Sequence, residues 1–200
     1  MQQSSLIIIF LSLTLASCRD GNRETDKKKL DRGADLASSG KFIEAINLYS
    51  VVIRRNPKIQ LAYYNRGICY LELQEYSKAL FDFESVINLQ TVNGMILWKN
   101  SDFYNSDEAV GQVPHKDVVF QRAIAKAELD SFASSFADFQ NLINANYEEK
   151  SNCMLWQGTI LGRMGRPSKA CEYFEKAKQI AVTEEDLKAA TDALTKYCEK

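Results

Sequence analysis

Two glycines, Gly33 and Gly67, stand 34 residues apart, and each is followed by the same pattern. Gly33 precedes Phe42, Ala45 and Tyr49 at offsets of nine, twelve and sixteen, and Gly67 precedes Tyr76, Ala79 and Phe83 at the same offsets. Gly158 has Pro167, Ala170 and Phe174 in those places. A fourth copy emerges when Ala123 takes the glycine's place, with Phe132, Ser135 and Phe139 behind it and Gly158 35 residues further on. A period of this length restricts the chain to stacked supersecondary units. One such unit cannot bury its own apolar face and must lean on the next.

Within each period the apolar residues recur at helical spacing. Val52, Val86 and Leu142 lie three residues beyond the large aromatic, and Ile53, Ile87 and Ile143 lie four beyond, on one helix face. The small residues Gly33, Gly67, Ala123 and Gly158 let a first helix approach its partner. Ala45, Ala79, Ser135 and Ala170 do the same on the second helix. Tyr49, Phe83, Phe139 and Phe174 have the bulk to fill the space between successive repeats. Gly40 and Gly165 suit the turn between the two helices, where positive φ is cheap. Pro57 suits a position beyond a helix end, and Pro167 the first turn of a helix. This pattern resembles the tetratricopeptide repeat.

The resemblance covers about residues 26–182 and implies an all-α, right-handed superhelical solenoid. It implies four helix–turn–helix repeats, at about 26–59, 60–93, 116–150 and 151–182. The folded domain as a whole spans 29–200. Residues 183–198 read as a C-terminal capping helix. Thr183 is its N-cap, Glu184, Glu185 and Asp186 form an acidic first turn, and Leu187, Ala190, Leu194 and Tyr197 form one apolar stripe. Nine main helices are expected.

Gly67 to Ala123 is 56 residues, which is 34 plus 22, so residues 94–115 are an insertion between repeats two and three. Its sequence, GMILWKNSDFYNSDEAVGQVPH, holds the only histidine of the chain. Met95, Ile96, Leu97, Trp98, Phe103 and Tyr104 are too apolar to stand in water and are expected to pack back on the solenoid, shaping one wall of a groove. Residues 106–111 suit one short helical turn. Asn100, Asp102, Asn105, Asp107 and Glu108 offer oxygen ligands, but without the alternating spacing and central glycine of a calcium loop.

By the resemblance, the first helix of each repeat lines a concave groove that binds a peptide or an amphipathic helix. The groove-facing positions are then Leu30, Ala34, Tyr64, Ile68, Leu71, Phe120, Ile124, Leu155 and Thr159, with Ala127 a turn beyond Ile124. Asn65, Glu72, Gln121, Glu128 and Arg163 make a polar rim. Such a surface fits an apolar peptide or helix face. The lysine- and arginine-based carboxylate clamp of chaperone-binding family members is missing. Leu30 and Ala34, then Asp117 and Gln121, stand in its places, and only Asn65 matches.

Residues 1–17, MQQSSLIIIFLSLTLAS, carry no charged side chain. The apolar run from Leu6 to Leu15 is too short to span a bilayer, which needs about 20 residues, and suits the core of an export signal. Leu15, Ala16, Ser17 and Cys18 resemble the bacterial lipobox, which implies lipidation of Cys18 after cleavage. The first five residues lack the lysine or arginine usual before such a core. Residues 18–28 then read as the lipidated cysteine and a polar tether, in which Lys27, Lys28 and Lys29 suit a solvated helix start. A lipid anchor in a bacterial cell envelope is expected, most readily at the outer membrane, on its periplasmic face or at the cell surface.

Formal net charge is −1, from 25 basic and 26 acidic residues, which gives no field to attract nucleic acid. No H-E-x-x-H, G-x-S-x-G, phosphate loop or C-x-x-C occurs, and one histidine cannot complete a histidine-rich metal site. No catalytic residue, metal, cofactor or small-molecule substrate is therefore expected. His115 reads as a structural histidine at the start of the third repeat, and Asp82 and Glu84, flanking Phe83, as a solvated face. Four cysteines remain beside Cys18. Cys153 and Cys171 are expected to lie too far apart to bridge. Cys171 and Cys198 fall on neighbouring antiparallel helices and could meet, or could serve as small buried hydrophobes. Together these features describe a membrane-anchored scaffold that binds other proteins without turnover. The alternatives are a soluble periplasmic assembly or accessory factor, and a small ligand-binding or hydrolytic protein built on the insertion.

Overall fold

A computed structural model of the chain describes residues 24–92, 95–96 and 112–198. The segment expected to be an export signal, Cys18 and most of the insertion, including the side chains expected to fold back and the oxygen-rich cluster, lie outside these residues. Among the described residues nine helices run in sequence: α1 (Asp26–Ser38), α2 (Phe42–Arg55), α3 (Gln60–Glu72), α4 (Tyr76–Gln90), α5 (His115–Glu128), α6 (Phe132–Asn144), α7 (Lys150–Arg163), α8 (Pro167–Ile180) and α9 (Glu184–Tyr197). They form four antiparallel hairpins, α1–α2, α3–α4, α5–α6 and α7–α8. Each leans on the next through α2–α3, α4–α5, α6–α7 and finally α8–α9.

The repeat pattern acts through contact between the marker residue and the aromatic sixteen places on. At Gly158 an added Cβ would lie 2.5 Å from Phe174 and 3.1 Å from the Ala170 carbonyl oxygen. At Gly33 and Gly67 the same atom would meet Tyr49 at 2.6 Å and Phe83 at 2.8 Å. The four aromatics are fully buried. Each contributes about 2–3 kcal/mol by leaving water. They also reach forward: Phe139 stacks on Trp156 of the next repeat, and Phe174 on Tyr197 of the cap. Where alanine replaces the glycine, at Ala123, its carbonyl accepts a 2.6 Å hydrogen bond from buried Ser135.

The turns inside the hairpins share a device that glycine marks only twice. Gly40, Gln74, Asp130 and Gly165 each lie seven residues beyond the marker, and all four adopt left-handed φ, at 75°, 59°, 57° and 72°. Helix starts follow local chemistry. Thr25 Oγ1 accepts from Lys28 N ahead of α1, Thr183 Oγ1 accepts from Asp186 N ahead of α9, and Pro167 opens α8.

Several expectations need correction. α1 begins at Asp26, so residues 26–28 are helical and not part of a tether, because Thr25 caps them. The chain leaves the solenoid at Thr91, three residues before the expected start of the insertion. It forms a two-stranded antiparallel ladder of β1 (Thr91–Val92) and β2 (Met95–Ile96) within the otherwise helical fold. Asp82 is fully buried and not solvated. Arg66 donates to it from Nε and Nη2 at 2.8 and 2.7 Å, which satisfies the carboxylate on both oxygens. Glu84 beside it is exposed. On α9 only Ala190 and Leu194 of the apolar stripe are buried, while Leu187 is 45% exposed. The other fastening of α9 is a disulfide between Cys171 and Cys198, whose Cα atoms lie 5.9 Å apart.

Candidate interaction groove

The first helices of the repeats touch their next-but-one neighbours in a chain, α1 to α3, α3 to α5, α5 to α7 and α7 to α9. The second helices make no comparable contact among the described residues. An array whose first helices converge and whose second helices diverge curves with the first helices on the inside. The inner face is therefore built from α1, α3, α5 and α7.

Most of the expected groove residues lie on this face with one flank in the core. Tyr64, Ile68 and Leu71 are half-buried against the cluster around Phe83 and Val86. Phe120 and Ile124 are half-buried against the cluster around Phe139, and Leu155 against that around Phe174. Thr159 is half-buried and turns its hydroxyl to the Leu155 carbonyl at 3.0 Å. Ala34 is exposed. Leu30 differs. It is 3% exposed, within the cluster that holds the small Ala45 and Ala62, and offers nothing to a partner. Ala127 is fully buried for a similar reason, in a close-packed stretch with Ala123.

The rim is partly self-paired. Arg163 reaches back to Glu128 at 3.2 Å and Asp130 at 2.7 Å, linking the last two repeats, and its guanidinium lies 5.1 Å from the Phe132 ring centroid. Two groove elements were not anticipated. Tyr147, in the α6–α7 connection, donates its hydroxyl to Asp117 Oδ1 at 2.9 Å and sets its ring 5.7 Å from that of Phe120. Trp156 lies half-buried beside Phe139. Tyr147 occupies a loop position that carries no helical periodicity, so nothing in the sequence pattern points to it.

His115 opens α5 and is tied at Nδ1 to Gln90 Oε1 at 2.8 Å. Gln90, itself buried, donates from Nε2 to the Val113 carbonyl at 2.7 Å and to Gln60 Oε1 at 3.1 Å. The two ends of the insertion are thus fastened at one place, and α5 stacks on α4 as if nothing intervened. Burial, and then the charge of Arg122, hold the His115 imidazole below its ordinary value. Buried Cys69 and Cys153 are pushed up to about 11 and about 12, chiefly by desolvation, so neither is a ready nucleophile. Among the described residues no three of His, Cys, Asp or Glu gather as metal ligands, and no helix is long and apolar enough to cross a membrane.

A sequence profile of the tetratricopeptide repeat matches residues 61–93 and 151–181, which are the second and fourth repeats. Dynein axonemal assembly factor 4 of Pan troglodytes is 37% identical over 59 residues, and the Hsp70-Hsp90 organizing protein of Triticum aestivum 39% over 59. Each match covers 30% of this chain but only 14% and 10% of the relative's own length. Among solved structures, MamA from Desulfovibrio magneticus RS-1 superposes with a TM-score of 0.60 at 15% identity, over 89% of this chain and 96% of that one. YrrB, described as a tetratricopeptide-repeat protein with an unusual peptide-binding site, gives 0.57 at 15% identity, over 89% and 81%. PilF of Pseudomonas aeruginosa gives 0.58 at 16%, over 86% and 68%. At such identities these likenesses establish the fold.

Proposed function

From the premise that this chain is a tetratricopeptide-repeat protein, we propose that it is a scaffold that binds a peptide or helix of another protein along its inner face. It works by holding and positioning, without chemical turnover. One observation carries the reading: Tyr64, Ile68, Leu71, Phe120, Ile124 and Leu155 form a half-buried apolar line along helices that touch one another. Apolar surface left open on a folded face is the usual mark of an interaction site. Such a face accepts the apolar side of an amphipathic helix or an extended apolar segment.

The scaffold is proposed to sit in a bacterial envelope, anchored by lipid on Cys18. The apolar run before Cys18 and the small residues at positions 16 and 17 support this. The Cys171–Cys198 disulfide supports an oxidising compartment, where such bonds persist. It equally fits the second reading, a soluble periplasmic assembly factor. Mass spectrometry of the mature N-terminus separates the two. A diacylated Cys18 is expected, and an unmodified N-terminus, or a Cys18→Ala variant still on membranes, overturns the anchor.

The binding reading is tested by crosslinking and purification from membranes, comparing wild type with Tyr64→Ala plus Phe120→Ala. Loss of specific partners in the variant, with its melting curve preserved, is the expected result. An unchanged set of partners sinks the groove. A hydrolytic role built on the insertion has less behind it, since His115 is held in a buried hydrogen-bonded tie. Full function of a His115→Ala, Asp107→Ala double variant would remove it.

A further inference from the structure

The middle of the inner face is not uniformly apolar. Asp117, half-buried in the first turn of α5, accepts from the Tyr147 hydroxyl. Phe120, nearly one helical turn further on, sets its ring against that of Tyr147. From α3, Tyr64 comes close enough for its phenol to feel the Asp117 carboxylate. Burial first, and Asp117 second, push it up to about 12 against the pull of Gln121. One carboxylate is therefore neighboured by three half-buried aromatic rings, drawn from α3, α5 and the α6–α7 connection.

The nearby cations are engaged elsewhere. Arg122 and Lys126 both bond to Asp138, from 2.8 to 3.1 Å. Arg66 is held by Asp82, and Lys116 Nζ donates to the Ala145 carbonyl at 2.8 Å. Among the described residues neither Asp117 nor exposed Glu72 of the rim has an ion pair, and Arg163 is taken up by Glu128 and Asp130. Asp117 thus offers a carboxylate with no ion pair among the described residues, beside ring faces that attract cations.

We propose that this spot sets the specificity of the groove: it takes an arginine or lysine side chain of an otherwise apolar partner segment, which pairs with Asp117 among the rings of Tyr64, Phe120 and Tyr147. The proposal rests on the inner face being the binding surface. A cation gains here from both the carboxylate and the rings, in a half-desolvated setting where each counts for more than in water. An acidic segment, or a free terminal carboxylate, meets repulsion at the same point. The partner is therefore basic and apolar.

The test uses the full protein and three labelled twelve-residue amphipathic peptides of leucine, alanine and glutamine. They differ only at a central position, which carries arginine, glutamine or glutamate, and binding is read by fluorescence anisotropy at low and moderate salt. The arginine peptide is expected to bind about tenfold more tightly than the glutamine peptide and the glutamate peptide most weakly, with the preference shrinking as salt screens it. Asp117→Asn should abolish the arginine preference, so that the arginine and glutamine peptides bind the variant equally. Tyr147→Phe, which frees the carboxylate from its hydroxyl partner, should keep or strengthen it. Melting curves check that both variants fold. Equal binding of all three peptides overturns the specificity proposal while leaving the groove standing. Failure of all three to bind at millimolar concentration overturns both.

Discussion

At the scale of single residues, the turns inside the hairpins show how a repeat imposes geometry on whatever residue it meets. Gln74 and Asp130 sit at φ of 59° and 57° because their register, seven residues past the marker, demands it. A non-glycine residue there costs roughly 1 kcal/mol, since its Cβ crowds the following carbonyl. Gln74→Gly should therefore stabilise the protein by roughly 1 kcal/mol and raise the melting temperature by about 3 °C. Gly165→Ala, at φ 72°, should lose a similar amount. Thermal melts of the two variants side by side check both signs. Asp82 is a sharper case. Because Arg66 is half-buried against it, Asp82→Ala leaves a guanidinium without its partner and should cost about 3–5 kcal/mol in urea unfolding. Glu84→Ala, two residues away on the solvent side, should fall within about 0.5 kcal/mol of wild type. Equal effects at the two positions would contradict the buried pair.

At the scale of elements, the repeated hairpins and the terminal helix are held by different means. Each hairpin buries an aromatic against a marker residue and passes another apolar face to its neighbour. α9 buries only Ala190 and Leu194, and its Tyr197 stacks on Phe174 while remaining 39% exposed. The Cys171–Cys198 bond supplies the rest by closing a separation of 27 residues. Chain entropy assigns such a closure roughly 3.5 kcal/mol. Cys171→Ser should accordingly lower stability by up to that amount, with the loss concentrated at the C-terminal end. In a one-dimensional array each unit contacts only its neighbours, so local opening need not spread. Hydrogen exchange should accelerate across residues 184–197 and stay unchanged in α3 to α6. Uniform acceleration along the solenoid would mean that the cap is not fastened locally. The helices, their order and the cap were all legible in the sequence, because the small–large alternation that packs each repeat is written at a fixed period. Arg66–Asp82 was not. Both residues flank core positions, and the pairing depends on two helices meeting at a depth that one helix's polar pattern does not encode. The burial of Leu30 escaped for the same reason. The family register marks which way a position faces, while depth depends on the neighbours, here the small Ala45 and Ala62.

At the scale of the whole molecule, the solenoid has to stay continuous across an interruption. The 34-residue register resumes after 22 extra residues, and continuity is achieved by the tie of Gln60, Gln90, Val113 and His115, which draws α3, α4 and α5 to one point. The sequence marked where the interruption lies but not this fastening, since two glutamines and a histidine carry no periodic signal. The half-burial of His115 also makes stability depend on pH. His115 is held below its ordinary value, near 6.5, by burial and by Arg122, so the folded protein takes up a proton there less readily than the unfolded chain. Its contribution to stability is complete above roughly pH 6.5 and is lost as pH falls through the lower folded value. Melting temperature should thus drop between pH 7 and pH 5, beyond what the carboxylates impose. In His115→Gln, which keeps an amide donor for Gln90 but cannot titrate, the drop should be smaller. A pH slope identical in the two proteins would mean that His115 does not carry this dependence.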